Sequence, residues 1–161
     1  MALTPIEAGG EKDQGANLVE FALVLPLLML LLLGAVEFAW LFSQNLDVRH
    51  GAREGARLVA VNYPNGPVYP TPSPTNSAQT DEIVAEVCRR MDVSTGATVT
   101  LSSDTGGVGD AATATVSASG QTLTGFLDWA IPSGLTLSST VEIRIEQPAG
   151  WDIDAGPRPC P

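Results

Sequence analysis

Residues 21–42, FALVLPLLMLLLLGAVEFAWLF, constrain this chain more than any other part of it: 22 consecutive residues carry one charge, Glu37. A helix of that length, rising about 1.5 Å per residue, measures about 33 Å, the thickness of a bilayer's hydrocarbon core. Nine leucines lie in the run, each worth roughly −0.5 kcal/mol on insertion, and together they outweigh one Glu near the end of the span, where its cost falls below the central ~3 kcal/mol. The run reads as a transmembrane helix. A cleavable secretory signal wants a basic leader, a shorter apolar core and a small-residue cleavage site directly after it, and none of these fits here.

The helical pattern continues past the apolar run. Val48, Ala52, Ala56 and Val59 recur at i, i+4, i+8 and i+11, a stripe suited to packing on a sheet, and predict a helix to about Asn62. The opposite side carries Arg49, Arg53 and Arg57 in four-residue steps, with His50 and Glu54 offset by one. That side reads either as a solvated face or as a contact surface for acidic neighbours. Pro26 removes an N–H bond to the Ala22 carbonyl and predicts a kink or a loosened turn, which bilayers tolerate when neighbours cover the gap. Gly34 allows close helix approach but has no second glycine at i+4. Orientation rules disagree. The arginines follow the span while only Lys12 precedes it, yet long domains translocate largely regardless of charge.

With that helix subtracted from 161 residues, there is room for one compact domain of about 80–100 residues. Residues 63–79, YPNGPVYPTPSPTNSAQ, hold five prolines and no hydrophobic period, so they read as an extended linker between stalk and head. Thr80 can cap a helix over 81 to about 91, with Asp81 and Glu82 in its first turn and Arg89 and Arg90 in its last. Ile83, Val84, Val87, Cys88 and Met91 form its apolar face. Alternation then predicts strands at 97–101, 112–118 and 135–145, and DTGGVGD at 104–110 reads as the connection between the first two. Calcium held by Asp104 and Asp110 is the other reading of that loop; the spacing fits no EF-hand and favours a plain turn. Residues 121–133 contain Leu123, Phe126, Leu127, Trp129 and Ile131, and read as cover for the sheet or as an exposed patch for a neighbour. The expected fold class is α+β: a long N-terminal membrane and stalk helix, then a small head with one helix and roughly three antiparallel strands.

Composition narrows the function. The formal charge is −10 and Lys12 is the only lysine, a balance that repels phosphate backbones and argues against nucleic acid. From Tyr63 onward eleven Asp/Glu face four Arg, a net of −7, so the acidity belongs to the head, as a solubilising surface outside the cell or a cation-binding one. Cys88 and Cys160 are too far apart for a metal-ligand motif, and His50 is the one histidine that could assist. The pair reads as a disulfide, worth about 4 kcal/mol in the chain-entropy model, or as two unpaired thiols. A disulfide would place the head in an oxidising compartment and pin the Pro-rich tail to it. Catalytic readings lack parts: His50 sits in the stalk, no serine lies in a nucleophile-elbow setting, and no Gly-rich loop precedes a helix. No catalytic residue, cofactor or metal site is assigned.

Immediately before the apolar run the chain reads Gly15-Ala16-Asn17-Leu18-Val19-Glu20-Phe21. This resembles the prepilin-peptidase site of type IV pilins and pseudopilins, a Gly before the scissile bond followed by Glu at the fifth mature position and then an aromatic. Cleavage after Gly15 would make Ala16 the new terminus. The longer stretch, VEFALVLPLLMLLLLGAVEFAWLF followed by Ala52-Arg53-Glu54-Gly55-Ala56-Arg57, resembles the TadE-like family of tight-adherence (Flp-type) pilus systems over residues 15–61, and Arg144-Ile145-Glu146 resembles that family's closing strand. With the leader at 1–15 that the resemblance implies, the chain is expected to divide into a membrane and stalk helix at 16–62, a linker at 63–79 and a head at 80–161, which the cysteine pair places outside the cytoplasm. It implies a minor pilin or pseudopilin in the cytoplasmic membrane or a surface pilus. Its partners would be other pilin subunits, a prepilin peptidase, an inner-membrane assembly platform and the lipid bilayer. Glu20, at the edge of hydrocarbon, would pair with the α-amino group of a neighbouring mature subunit, or act as an interfacial acid. Phe21, Pro26, Glu37, Arg53, Glu54 and Arg57 are the further candidate subunit-interaction residues. For Glu37 the readings are a pair with another subunit or the platform, or an acid snorkelling to the interface. An unprocessed single-pass scaffold of the same machine and a stalked surface adhesin are the competing functions.

Overall fold

A computed structural model of the chain describes residues 11–64, 76–92, 96–125, 128 and 135–161. Residues 1–10 of the expected leader, most of the expected linker, and Phe126, Leu127, Trp129 and Ile131 lie outside the described residues.

One helix, α1 (Glu11–Ala60), runs through the apolar segment, through Pro26 and into the head. It stops at Asn62, whose φ of 53° places it in the left-handed region that Asn adopts more readily than most residues. The Tyr63 N–H then donates to the Leu58 carbonyl at 3.0 Å and the Asn62 N–H to Val59 at 3.2 Å, the paired closure of a Schellman motif. Further along the chain, the Glu146 and Gln147 N–H groups donate to the Ala60 carbonyl. The helix end is thereby fastened to the segment that follows the sheet.

The second helix, α2 (Ser77–Arg89), begins four residues earlier than the Thr80 cap predicts. Asn76 is the N-cap, its side chain accepting from the Gln79 N–H at 3.3 Å. Thr80 is a buried interior residue instead; its hydroxyl donates to the Asn76 carbonyl and accepts from the Asp152 N–H at 2.8 Å. Either residue type can cap. The earlier one wins because α2 also has to place Gln79 and Thr80 inside the head, beyond the apolar face at Ile83, Val84, Val87, Cys88 and Met91.

Among the described residues the strands β1 (Thr98–Ser103), β2 (Ala111–Ser119), β3 (Thr136–Arg144) and β4 (Arg158–Pro159) form one four-stranded sheet in the order β3-β2-β1-β4, with every pairing antiparallel. The three alternating runs are the three long strands. The fourth is two residues in the tail, too short to show a period. It is held on β1 by register Val99↔Arg158 and by the Cys160 N–H donating to Ala97. The Cys88–Cys160 disulfide, with Cα atoms 5.6 Å apart, ties this strand to α2.

One face of the sheet lies on α1. Val48, Ala52, Ala56 and Val59 are buried as their spacing predicts, against Ala112, Ala114, Val116 and Ala118 of β2. The contact is close because both surfaces are built from small residues. A Cβ on Gly55 would sit 3.3 Å from the Ala114 methyl, and one on Gly51 would run into Met91 Sδ. The core of the head therefore crosses the expected stalk boundary at 62 and includes the last turns of α1. The opposite face of the sheet carries Thr and Ser, with the Thr115–Thr140 and Ser117–Ser138 hydroxyls bonded across the strands.

Beneath the sheet's end, Trp151 is fully buried and its indole N–H donates to the Val59 carbonyl at 3.3 Å. Beside it, the Asn62 side-chain oxygen accepts from Gly150 N–H at 2.7 Å and from the Gln79 amide at 2.9 Å. Gly150 belongs there for want of room, since a Cβ would strike the Gln79 side-chain oxygen.

Candidate functional site

The lower half of α1 is bare. Leu18, Val19, Phe21, Leu23, Val24 and the leucines from 27 to 32 are all about half exposed or more. No soluble head leaves so long an apolar surface to water. It is the one described helix long and apolar enough to cross a membrane. Gly15 lies within this helix with open space around it, and Glu20 and Phe21 are exposed on the same bare stretch. Pro26 is exposed without interrupting the helix.

Glu37 is different. It is 0% exposed, and its carboxylate accepts the Leu123 N–H at 2.8 Å, the Thr124 N–H at 2.7 Å and the Thr124 hydroxyl. Two turns further on, the Gln44 side-chain amide bonds both ways with the backbone of Gln121, donating to its carbonyl at 2.7 Å and accepting its N–H at 2.9 Å. Residues seven apart share a helix face, so Glu37 and Gln44 together clasp the head's 121–125 loop to α1. Burying a carboxylate is tolerable only when donors replace water. Here the chain's own loop supplies them. The sequence offers an intersubunit pair or a snorkelling acid for Glu37; the structure gives its carboxylate donors from within the chain. Gln44 and Gln121 were invisible as a pair, because nothing local marks residues 77 positions apart.

The basic row also divides. Arg57 forms a two-point pair with Glu54, at 2.6 and 3.0 Å, and Arg90, the C-cap of α2, reaches the same carboxylate. Glu86 is 6% exposed and is held by Arg89 and by Arg90, the latter at 2.6–2.7 Å. Glu54 and Arg57 therefore brace α1 against α2. Arg53 is exposed and makes no ion pair among the described residues. The Arg57 hydrogen bonds, against some opposing burial, hold the Glu54 carboxyl below 4.5. At Glu86 burial pushes upward, but the Arg90 and Arg89 hydrogen bonds outweigh it and the net shift is again downward from 4.5.

A group whose folded pKa is lowered stabilises fully above its unfolded value and loses that contribution as pH falls through the folded one. The head's resistance to urea, read by pulse proteolysis of the full chain in detergent, is therefore expected to hold at neutral pH and to fall as pH drops below 4.5. The double variant Glu54→Gln/Glu86→Gln is expected to start lower and to show a shallower acid slope.

In the hairpin loop, Asp110 accepts from the Thr105 hydroxyl and, at 3.0 Å, from the Gly107 N–H, which closes the turn with its own groups. A shallow cleft of about 430 Å³ lies beside the disulfide, lined by Tyr63, Glu82, Glu86 and Arg89 among others. Its Glu86 carboxylate is already taken up by the two arginines.

These features define a small disulfide-bonded α+β head fused to a membrane-capable helix. Residues 15–57, the bare helix together with its seat on the sheet, match the family model described as TadE-like protein. The resemblance read in the sequence is borne out over that segment. No curated protein and no solved structure matches the chain.

Proposed function

We propose that this chain is a minor pilin or pseudopilin of a tight-adherence (Flp-type) pilus, anchored by α1 in the bacterial cytoplasmic membrane with its head on the extracytoplasmic side. The observation that carries this reading is the TadE-like segment itself, residues 15–57, coinciding with the bare apolar helix. A rod with that much uncovered apolar surface needs lipid or sister helices around it, and a pilus subunit exchanges one for the other. The disulfide supports an oxidising compartment for the head. The role is structural and uses no cofactor. A prepilin peptidase cutting after Gly15 would expose the Ala16 amine, and Glu20 of one subunit would pair with that amine on the next, fixing the axial register of stacked helices.

The helix starts at Glu11 and passes through Gly15 without a break, which favours a second reading, an uncleaved single-pass scaffold of the same machine. N-terminal sequencing of protein sheared from the cell surface separates the two: the first reading expects Ala16, whereas Met1, or a protein that never leaves the membrane, means the second. Replacing Glu20 by Ala is expected to reduce surface pili at least several-fold while the subunit still accumulates in the membrane. Normal piliation in that variant would remove Glu20 from the assembly step.

A further inference from the structure

The clasp between α1 and the 121–125 loop fixes where the head stands relative to the lipid. We infer that this loop is a second membrane contact: it seats on the outer surface of the bilayer at the level of Glu37, with Leu123 entering the interfacial layer. The inference rests on the reading of α1 as a membrane span.

Three observations converge on it. First, the loop's backbone and the Glu37 carboxylate are bonded to one another at 2.7–2.8 Å. Irregular, partly exposed backbone of this kind does not occur in hydrocarbon facing lipid, so the apolar layer must end below residue 37. Second, the remaining stretch 17–36, whose one charge, Glu20, lies within a turn of its inner end, is long enough without residues 37–42: 20 residues give about 30 Å of helix. The span therefore sits about one turn nearer the N-terminus than the 21–42 run suggests. Third, the displaced residues are the types that settle in the interfacial layer. Phe38 and Phe42 stack with ring centroids 6.3 Å apart and stay exposed, and Trp40 is exposed as well, a collar of the kind found at membrane surfaces. Leu123, at the clasp itself, is 51% exposed on a loop whose backbone N–H already donates to Glu37. Its exposed apolar side chain is thus held at the level of Glu37, one residue from Phe38 along the helix.

The test uses the full chain with its disulfide intact, reconstituted in vesicles of phosphatidylethanolamine and phosphatidylglycerol. An environment-sensitive fluorophore is attached at Leu123→Cys, with Leu28→Cys as the deep reference and Arg53→Cys as the aqueous one. The Leu123 probe is expected to shift to the blue and to lose about half its emission to spin labels placed near the headgroup, while the Arg53 probe loses little. A Leu123 probe as solvent-like as the Arg53 probe, with Leu28 quenched from the bilayer interior, overturns the seat and leaves the span standing. An unquenched Leu28 probe removes the span and the seat together. A blue-shifted Leu123 probe that lipid labels do not quench means that a second copy of the chain covers the loop, and also overturns the proposal.

Discussion

Replacing Trp151 by Ala is expected to cost the head about 3–5 kcal/mol, the range for emptying a buried aromatic site. Trp151 has no exposed surface, and its indole N–H closes the last turn of α1 through the Val59 carbonyl. The loss is compounded by position. The residue bridges in parallel to Asn76, the cap of α2, and stands beside the Asn62 side chain that gathers Gly150 and Gln79. A cavity here loosens the point where both helices meet the tail. For a domain of this size each kcal/mol lowers the melting temperature by about 4–8 °C. The measurement is the urea midpoint of pulse proteolysis on the full chain in micelles. Trp151→Phe, which keeps most of the volume and drops the N–H, is expected to recover the larger part of the loss. A midpoint unmoved in Trp151→Ala would mean that the tail is not part of the cooperative unit.

Breaking the Cys88–Cys160 bond, by reduction or by a paired Cys→Ser change, is expected to remove about 4 kcal/mol in the chain-entropy model, because it reopens a loop with a sequence separation of 72. The fourth strand depends on it directly. Two residues of pairing on β1 and an Arg158–Asp81 contact at 3.4 Å, with Asp81 largely exposed, are too little to hold a tail whose backbone order costs about 1–2 kcal/mol per residue. Proteolysis of the reduced protein should therefore begin after residue 154 before the rest of the head yields. Equal resistance of reduced and oxidised chains would show that the tail is held by packing alone.

Much of the fold was legible because it is periodic. The stripe Val48, Ala52, Ala56, Val59, the apolar face of α2 and the three alternating strands each repeat locally, and they are buried as their spacing predicts, except that Leu135, Val141 and Ile143 along the third strand are only partly covered. What periodicity could not show is what polar residues do at a distance. Asn62 reads only as the end of a helix, Gln79 as the last residue of the linker, and Gln44 carries no sequence signal, yet each is buried and bonded to groups from elsewhere in the chain. Glu37 stood out as a charge in an apolar run, but its partners lie 86 and 87 positions downstream, and no spacing rule connects them. Trp151 carried the one signal that could have been weighed, a large aromatic in a Pro- and Gly-rich tail otherwise poor in reasons to order. The α2 start was misplaced for a local reason, two capping residues four positions apart. The Arg row was half readable: its helical spacing was evident, whereas the division into a braced Arg57 and an exposed Arg53 depends on where α2 packs.

The close seam between α1 and the sheet has a mechanical consequence. Because residues 48–60 of the rod are also the floor of the head's core, with Gly55 against Ala114 and no hinge between them, any load drawn along the rod enters the sheet as shear across a broad, interlocked surface. Rod and cargo must therefore tilt, turn and travel as one stiff lever.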